Sequence, residues 1–348
     1  MDQKSRRITL DRSGKLPFVS VIVPMRNEEK YIGQCLNSLS NQDYDHDCYE
    51  ILVLDGKSTD NSWQIVEQKV CHSDRVRLLT NPHQTTPHAF NRGIQEARGD
   101  LCIIFSAHAY AAPDFISKSV YYIRATGADC VGGRVDMRGE NDLARAVAKA
   151  VASAFGMGNV YFRSSNRPGF VDTVSYCTYR KEIFEHIGLF DVELIRNQDY
   201  ELNYRVRKAG GQIFFAPDIE VSYYSRSSWR RLIKQYFQYG FWKVRTVQKH
   251  PGSIKLRHII PPIFVEGVLL TMFGGFLWWP LWIALGAILG SYVLVALFFS
   301  LRIAAKEGGE FFFLLPLVFA IMHFCWGTGF IWGVLTLPLP AERVPLSH

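Results

Sequence analysis

Nothing in this sequence suggests a disulfide framework or a zinc cage. The seven cysteines (35, 48, 71, 102, 130, 177 and 325) form no C-x-x-C pair, and their odd number suits reduced, mostly buried thiols. The opening MDQKSRRITLDRSGK lacks the apolar run of a secretory signal, so the front of the chain is expected to remain in the cytosol. Internal repeats and low-complexity blocks are missing too. Charge is scarce at the back, where residues 259–348 hold three bases (Arg302, Lys306, Arg343) and four acids (Glu266, Glu307, Glu310, Glu342). Of the 39 bases and 32 acids, 36 and 28 therefore lie in residues 1–258, a net +8. Acids are absent from residues 227–258, which carry eight Lys/Arg. At 348 residues and 48% hydrophobic content, intrinsic disorder, collagen and a small disulfide-stapled domain are excluded.

What is present from Phe18 onward is an α/β pattern. Residues 19–24 (VSVIVP), 50–54 (EILVL), 76–79 and 101–105 (LCIIF) are short β-branched or apolar runs that suit strands buried on both faces. Between them lie helical stretches. Residues 27–41 carry Tyr31, Ile32, Cys35, Leu36 and Leu39 at helical spacing, Asp60 is placed to cap a helix bearing Trp63, Ile65 and Val66, and Pro87 opens a third that Gly99 ends. Alternation of this kind predicts a mostly parallel sheet with helices on both faces. The middle of the chain reads as a helix at 142–155, a Gly/Ser/Arg loop at 156–170, a short helix near 180–187, and a helix from Asp199 to Lys208 stopped by Gly210-Gly211.

The back of the chain reads as membrane-bound. In the basic stretch, Trp229, Leu232, Ile233, Tyr236 and Phe237 share one helical face with Arg230, Arg231 and Lys234 off it, as in a helix lying in a headgroup layer; a surface helix packed on the protein has the same pattern. Residues 259–301 contain one charge, Glu266, and are long enough for two spans turning at Trp278-Trp279-Pro280. Residues 311–337 give a third apolar stretch, interrupted by Pro316, His323 and glycines. The basic residues place segment 227–258 and the Arg302/Lys306 loop in the cytosol, which sends the C-terminus across the membrane unless the third stretch is re-entrant or interfacial. His323 is expected to face a helix neighbour, and Glu266 to do the same or to reach for the interface. The resulting division is a polar tail (1–16), two halves of an α/β domain (17–135 and 136–226), a basic amphipathic segment (227–258) and a membrane region of two to three helices (259–348).

Polar residues gather where the parallel strands end, the edge at which open α/β sheets bind ligands. Pro24-Met25-Arg26-Asn27-Glu28-Glu29 follows the first strand, Asp55-Gly56-Lys57-Ser58-Thr59-Asp60 the second, and Ser106-Ala107-His108 the fourth. Glu29 reads as a first-turn acid favoured by the helix dipole. Asp55, directly after a buried strand, has no evident local duty and could accept from a uracil imide or a ribose hydroxyl; a turn-forming aspartate is the other reading. A transport component with a regulatory nucleotide-binding domain is a rival class, which the lack of paired membrane repeats disfavours.

P-x-x-N-E after the first strand, D-G-x-S-T-D after the second and Q-D-Y-E-L-N-Y-R at 198–205 together resemble a family 2 glycosyltransferase of GT-A fold, over about residues 17–245. Residues 197–211 (NQDYELNYRVRKAGG), 106–109 and 235–237 are most similar to the succinoglycan-biosynthesis ExoA-like subgroup. The resemblance implies a nucleotide-sugar donor and no nucleic acid. A lipid-linked acceptor and membrane lipids as partners follow from the basic amphipathic segment and spans, which would hold the cleft at the bilayer surface, with direct transfer to a polyprenyl phosphate or a membrane glycolipid as the alternative. The resemblance also implies that Pro24, Arg26 and Glu28 line the donor pocket, that Asp55 reads the base, and that Asp199 is the general base of an inverting transfer. Most relatives end the fourth strand in D-x-D, with the first acid on the ribose and the second on a divalent metal. Here Ser106, Ala107 and His108 stand there. A serine can still bond a ribose hydroxyl, and a histidine ligand shifts preference from Mg²⁺ towards Mn²⁺. In the alternative reading His108 only hydrogen-bonds the diphosphate. Asp172 is a candidate acceptor contact, and Arg226, Arg230 and Arg231 could meet a lipid phosphate or anionic headgroups in general. Processive members carry Q-x-x-R-W, whereas residues 235–239 read QYFQY, which implies a single addition.

Overall fold

The computed structural model describes residues 15–139, 141–158, 165–225 and 228–338. The chain divides into two compact units, Met1–Arg138 with Tyr161–Tyr224, and Gly139–Val160 with Ser225–His348.

The first unit is built on a nine-stranded sheet. Strands β1 (Val19–Met25), β2 (Tyr49–Asp55), β3 (Val76–Thr80) and β4 (Leu101–Ile104) are parallel in the order β3-β2-β1-β4. Their connections are α1 (Ile32–Ser40), α2 (Ser62–Val70) and α3 (Thr86–Glu96). All seven residues of β2 are buried, as expected of a strand covered on both faces. Val19, Val21 and Val23 of β1 share a core with Ile32, Cys35, Leu36 and Leu39 of α1. On the other face α3 comes so close that a Cβ on Gly93 would collide with the Ile22 side chain.

Beyond β4 the sheet is antiparallel, which corrects the mostly parallel expectation. The remaining elements are β5 (Ala109–Ala111), α4 (Phe115–Thr126), β6 (Cys130–Gly139), β7 (Gly169–Phe170), β8 (Ser175–Arg180), α7 (Ile183–Ile187), α8 (Gln198–Lys208) and β9 (Ile213–Ser225). Strand β8 inserts between β4 and β6 and runs against both, while β5 and β7 pair antiparallel with β9. Helix α1 begins five residues later than expected: Asn27 takes a left-handed φ of 54°, and residues 28–31 form a turn in which Tyr31 N donates to Glu28 O at 2.9 Å.

The second unit contains α5 (Asp142–Ala152), α6 (Ala154–Met157), α9 (Trp229–Lys249), α10 (Leu256–Gly274), α11 (Pro280–Glu307) and α12 (Leu314–Thr336). The last three are long and apolar enough to cross a membrane. The helix expected at 142–155 breaks at Ser153, whose Oγ accepts from Gly156 N at 3.0 Å. Residues 139–160 group with this unit rather than with an acceptor half. Phe155 explains why, since its ring meets Phe299 of α11 at 5.4 Å and Phe319 of α12 at 5.0 Å. His323 does face neighbours: Tyr292 OH lies 2.9 Å from its Nδ1 and Phe155 O 2.9 Å from its Nε2. Glu266 is exposed on α10.

The covered stripe of α9 also differs from the expected one. Leu232, Tyr236, Gly240 and Val244 are buried, whereas Trp229 and Ile233 are exposed. Gly240 centres that stripe because a Cβ there would collide with the Trp326 carbonyl of α12.

Candidate active site

The loops after β1 and β2 are laced to each other. Ser58 Oγ accepts from Asn27 N at 3.0 Å and donates to Asp55 Oδ1 at 2.6 Å. Asn27 Oδ1 in turn accepts from Thr59 N at 2.8 Å. One turn on, Ser62 Oγ accepts from Glu28 N at 2.7 Å, and Asp60 Oδ2 from Glu29 N at 3.2 Å. Asp60 thus bridges two loops and also accepts from Ser62 N, while the helix cap position falls to Asn61. Desolvation pushes the Asp60 carboxyl up, but the hydrogen bonds from Ser62 and from the Glu29 N–H outweigh it and hold the group below the usual carboxylate range. Glu29 is more than a first-turn acid, since its Oε2 accepts from the Asn61 side chain at 3.0 Å.

Asp55 does have a local duty, contrary to the sequence reading. It is only 5% exposed, and its carboxylate accepts from both the backbone N–H and the hydroxyl of Ser58. The turn-forming role is therefore real. Pro24 is half-buried at the end of β1, and Arg26 is exposed beside Gly56.

At the end of β4, Ala107 is buried while Ser106 and His108 stay accessible. His108 Nδ1 lies 3.0 Å from Glu28 Oε1, and Ser106 Oγ lies 3.2 Å from His108 Nε2. The strand-one loop and the strand-four loop thus meet in one Ser–His–Glu chain. Tyr223 of β9 packs edge-on against His108, ring centres 5.1 Å apart. Sequence reasoning missed Tyr223, because only the β5–β9 pairing (Ala109 opposite Tyr223) brings it there. Glu28 Oε1 and His108 Nδ1, 3.0 Å apart, share a hydrogen bond; without the shared proton they offer one oxygen and one nitrogen donor, a set suited in kind to a divalent metal. Among the described residues no group of three His, Cys, Asp or Glu could hold one, which leaves the other positions to phosphate oxygens and water.

Helix α8 carries Asp199 as its second residue, after Asn197 in a left-handed conformation (φ 63°). Asp199 is exposed, and its Oδ1 accepts from Tyr200 N at 2.8 Å. Asn203, one turn on along the same face, is fully buried and fastens the helix: its Nδ2 donates to Thr173 Oγ1 at 3.0 Å and its Oδ1 accepts from Tyr179 OH at 2.8 Å. Arg207 Nε reaches Asp172 O at 3.0 Å. Residues 172–174 lead into β8, which starts where β4 ends; the rings of Phe105 and Tyr176 are 5.3 Å apart. The segment Asp172–Val174, and helix α8 through Asn203, thus meet the sheet beside the end of β4. Arg230 and Arg231 are exposed on α9 in the second unit, and Arg226 lies outside the described residues.

Residues 20–188 match the family model described as Glycosyl transferase family 2. The chain is 34% identical, over 91% of its length and 97% of the relative's, to the dolichyl N-acetyl-α-D-glucosaminyl phosphate 3-β-D-2,3-diacetamido-2,3-dideoxy-β-D-glucuronosyltransferase of Methanococcus voltae. It is 27% identical to the succinoglycan biosynthesis protein ExoA of Rhizobium meliloti, over 89% and 93% of the two chains. Among solved structures, the mannosyltransferase PcManGT of Pyrobaculum calidifontis, in complex with GDP-Man and Mn²⁺, superposes with a TM-score of 0.59 at 16% identity, over 93% of this chain and 89% of that one. That likeness is one of fold, a GT-A-like α/β unit with a mixed sheet. The chain belongs to glycosyl transferase family 2 and is a glycosyltransferase.

Proposed function

We propose that the enzyme transfers a single hexose, with inversion, from a nucleotide sugar (UDP-linked) to a lipid-linked saccharide on the cytosolic face of the cytoplasmic membrane, in cell-surface glycan assembly. The reading is supported by the Ser106–His108–Glu28 chain after β4 and by the hydrogen bond from Asn203 to Thr173, which ties α8 to the segment entering β8, the neighbour of β4. The Methanococcus relative, named as a transferase acting on a dolichyl sugar phosphate, favours a saccharide already on lipid over a bare polyprenyl phosphate.

In this mechanism Pro24, Arg26 and Asp55 bound the nucleotide, with Asp55 held in place by Ser58, and Ser106 bonds a ribose hydroxyl. Asp199 accepts the proton of the acceptor hydroxyl as that oxygen bonds to the anomeric carbon. The bond from that carbon to the phosphate oxygen breaks on the opposite face, and the nucleoside diphosphate leaves with the electron pair. Glu28 and His108 would hold the divalent metal, Mn²⁺ in preference to Mg²⁺, which when bound supplies positive charge for the departing diphosphate. Asp172 touches the acceptor, and Arg226, Arg230 and Arg231 attract lipid phosphate.

General-base help is worth about 10²–10⁴-fold. Asp199→Asn is expected to lower transfer by that factor while leaving the donor-induced shift in melting temperature intact. Near-normal turnover in that variant would reassign the base. A melting screen of UDP- and GDP-sugars, with and without Mn²⁺, tests the donor.

A further inference from the structure

Helices α9 and α12 run side by side, in the same direction and in step. Phe237 meets Gly329, Phe241 and Val244 meet Gly333, and Arg245 Nη1 donates to Pro338 O at 2.7 Å. The contact is close, since Cβ atoms on Gly240 and Gly329 would collide with the facing backbone. Gly329-x-x-x-Gly333 is the spacing that usually lets two membrane-crossing helices pair. Here a helix carrying Arg230, Arg231, Lys234, Lys243, Arg245 and Lys249 already occupies it.

The other neighbours of α12 touch it differently. Helices α10 and α11 form an antiparallel hairpin, with Phe264 stacked on Tyr292 and Gly274 against Leu281. Helix α12 meets α10 at His258, Pro261, Phe264 and Val265, and meets α11 at Tyr292. These contacts cluster in the first half of α10, and Phe264 is about 15 Å of helix from the hairpin turn. The turn half of the hairpin is bare: Leu270, Phe273, Phe276, Leu277, Trp278 and Ile283 are all exposed.

We infer that α12 does not cross the bilayer but lies in its plane with α9, across the basic end of the α10–α11 hairpin, so that the chain crosses twice. A crossing α12 would carry the bases of α9 through hydrocarbon, where lysine and arginine are strongly disfavoured. In the plane, the exposed Arg230, Arg231 and Lys234 reach anionic headgroups, while Lys243 stays buried inside the helix packing. The exposed Leu317, Trp332 and Leu335 of α12 then enter the acyl boundary, at the shallow depth typical of such helices. The end of α12 stays on the side of the membrane where α9 begins.

The test uses the full-length protein in vesicles containing anionic lipid, with Cys48→Ser, Cys71→Ser and Cys325→Ser as background. Spin labels on Leu317→Cys, Thr328→Cys and Leu335→Cys are expected to report one shallow depth. An impermeant maleimide is expected to label Pro338→Cys from the same side as Ser228→Cys and opposite to Leu277→Cys. A depth maximum at Thr328→Cys with shallow flanking labels overturns the inference, as does labelling of Pro338→Cys from the side of Leu277→Cys. If Pro338→Cys reacts from neither side, the depth profile alone decides.

Discussion

His108 and Glu28 come from loops eighty residues apart, yet share one hydrogen bond at the end of the sheet. Their chemistry is one imidazole nitrogen and one carboxylate oxygen, a softer pair than two aspartates. His108→Asp is therefore expected to move the preferred ion from Mn²⁺ towards Mg²⁺, read as the ratio of initial rates in the two chlorides; an unchanged ratio would remove His108 from the metal. At the opposite edge of the sheet Glu50, 3% exposed, accepts from Ser20 Oγ at 2.8 Å, Arg98 N at 2.8 Å and Arg77 Nη1 at 3.0 Å. Removing one partner of a buried pair costs about 3–5 kcal/mol. Because Arg77 keeps some solvent, Glu50→Ala is expected to cost about 2–3 kcal/mol, measured by denaturant unfolding. The sequence shows Glu50 only as the first letter of an apolar strand, since all its partners are distant in the chain. Asp55 is the reverse case: its partner Ser58 is three residues away in the same motif, so the turn role was there to be read.

At the scale of elements, the clamp between the α1 and α2 entries depends on ionised Asp60. Its folded pKa is lowered, so the stability it contributes is present above its ordinary value and is lost as pH falls through the folded one. Amide exchange at Glu29 and Ser62 should accelerate selectively in that acidic window, below about pH 4; Asp60→Asn should show the same acceleration at neutral pH. Strands β1 to β4 were legible because each is a continuous apolar run between helices. Strands β5 and β7, of three and two residues, carry too little pattern to register and exist only by pairing with β9. The partner of α9 was hidden for another reason. The seam with α12 is centred on glycines, and a hydrophobic-face analysis counts large side chains. Gly240→Leu is expected to lower the melting temperature in detergent by several degrees, since the colliding atoms are backbone and cannot swing aside.

For the whole molecule, the unit boundaries do not follow chain order. The helices α5 and α6 interrupt the first unit in sequence but belong to the second. Cutting the chain after residue 225 would therefore strand Leu143, Val147, Ala150 and Val151, buried residues of α5, without the helices that cover them. Such a fragment is expected to aggregate or bind detergent, seen as void-volume elution in size exclusion, although it keeps every proposed site residue up to Asp199. A monomeric, soluble fragment would contradict this. Composition revealed the apolar back of the chain, but not that residues 139–160 join it, because an amphipathic helix does not name its partner.

That interleaving sets an order of events during synthesis. The α5–α6 segment leaves the ribosome well before α12, the helix it packs against, has been made. At about 5–20 residues per second, the gap of some 160 residues lasts on the order of ten to thirty seconds. Throughout that interval a greasy helix waits mid-chain for a neighbour still in the tunnel, which makes it a natural foothold for chaperones on the nascent polypeptide.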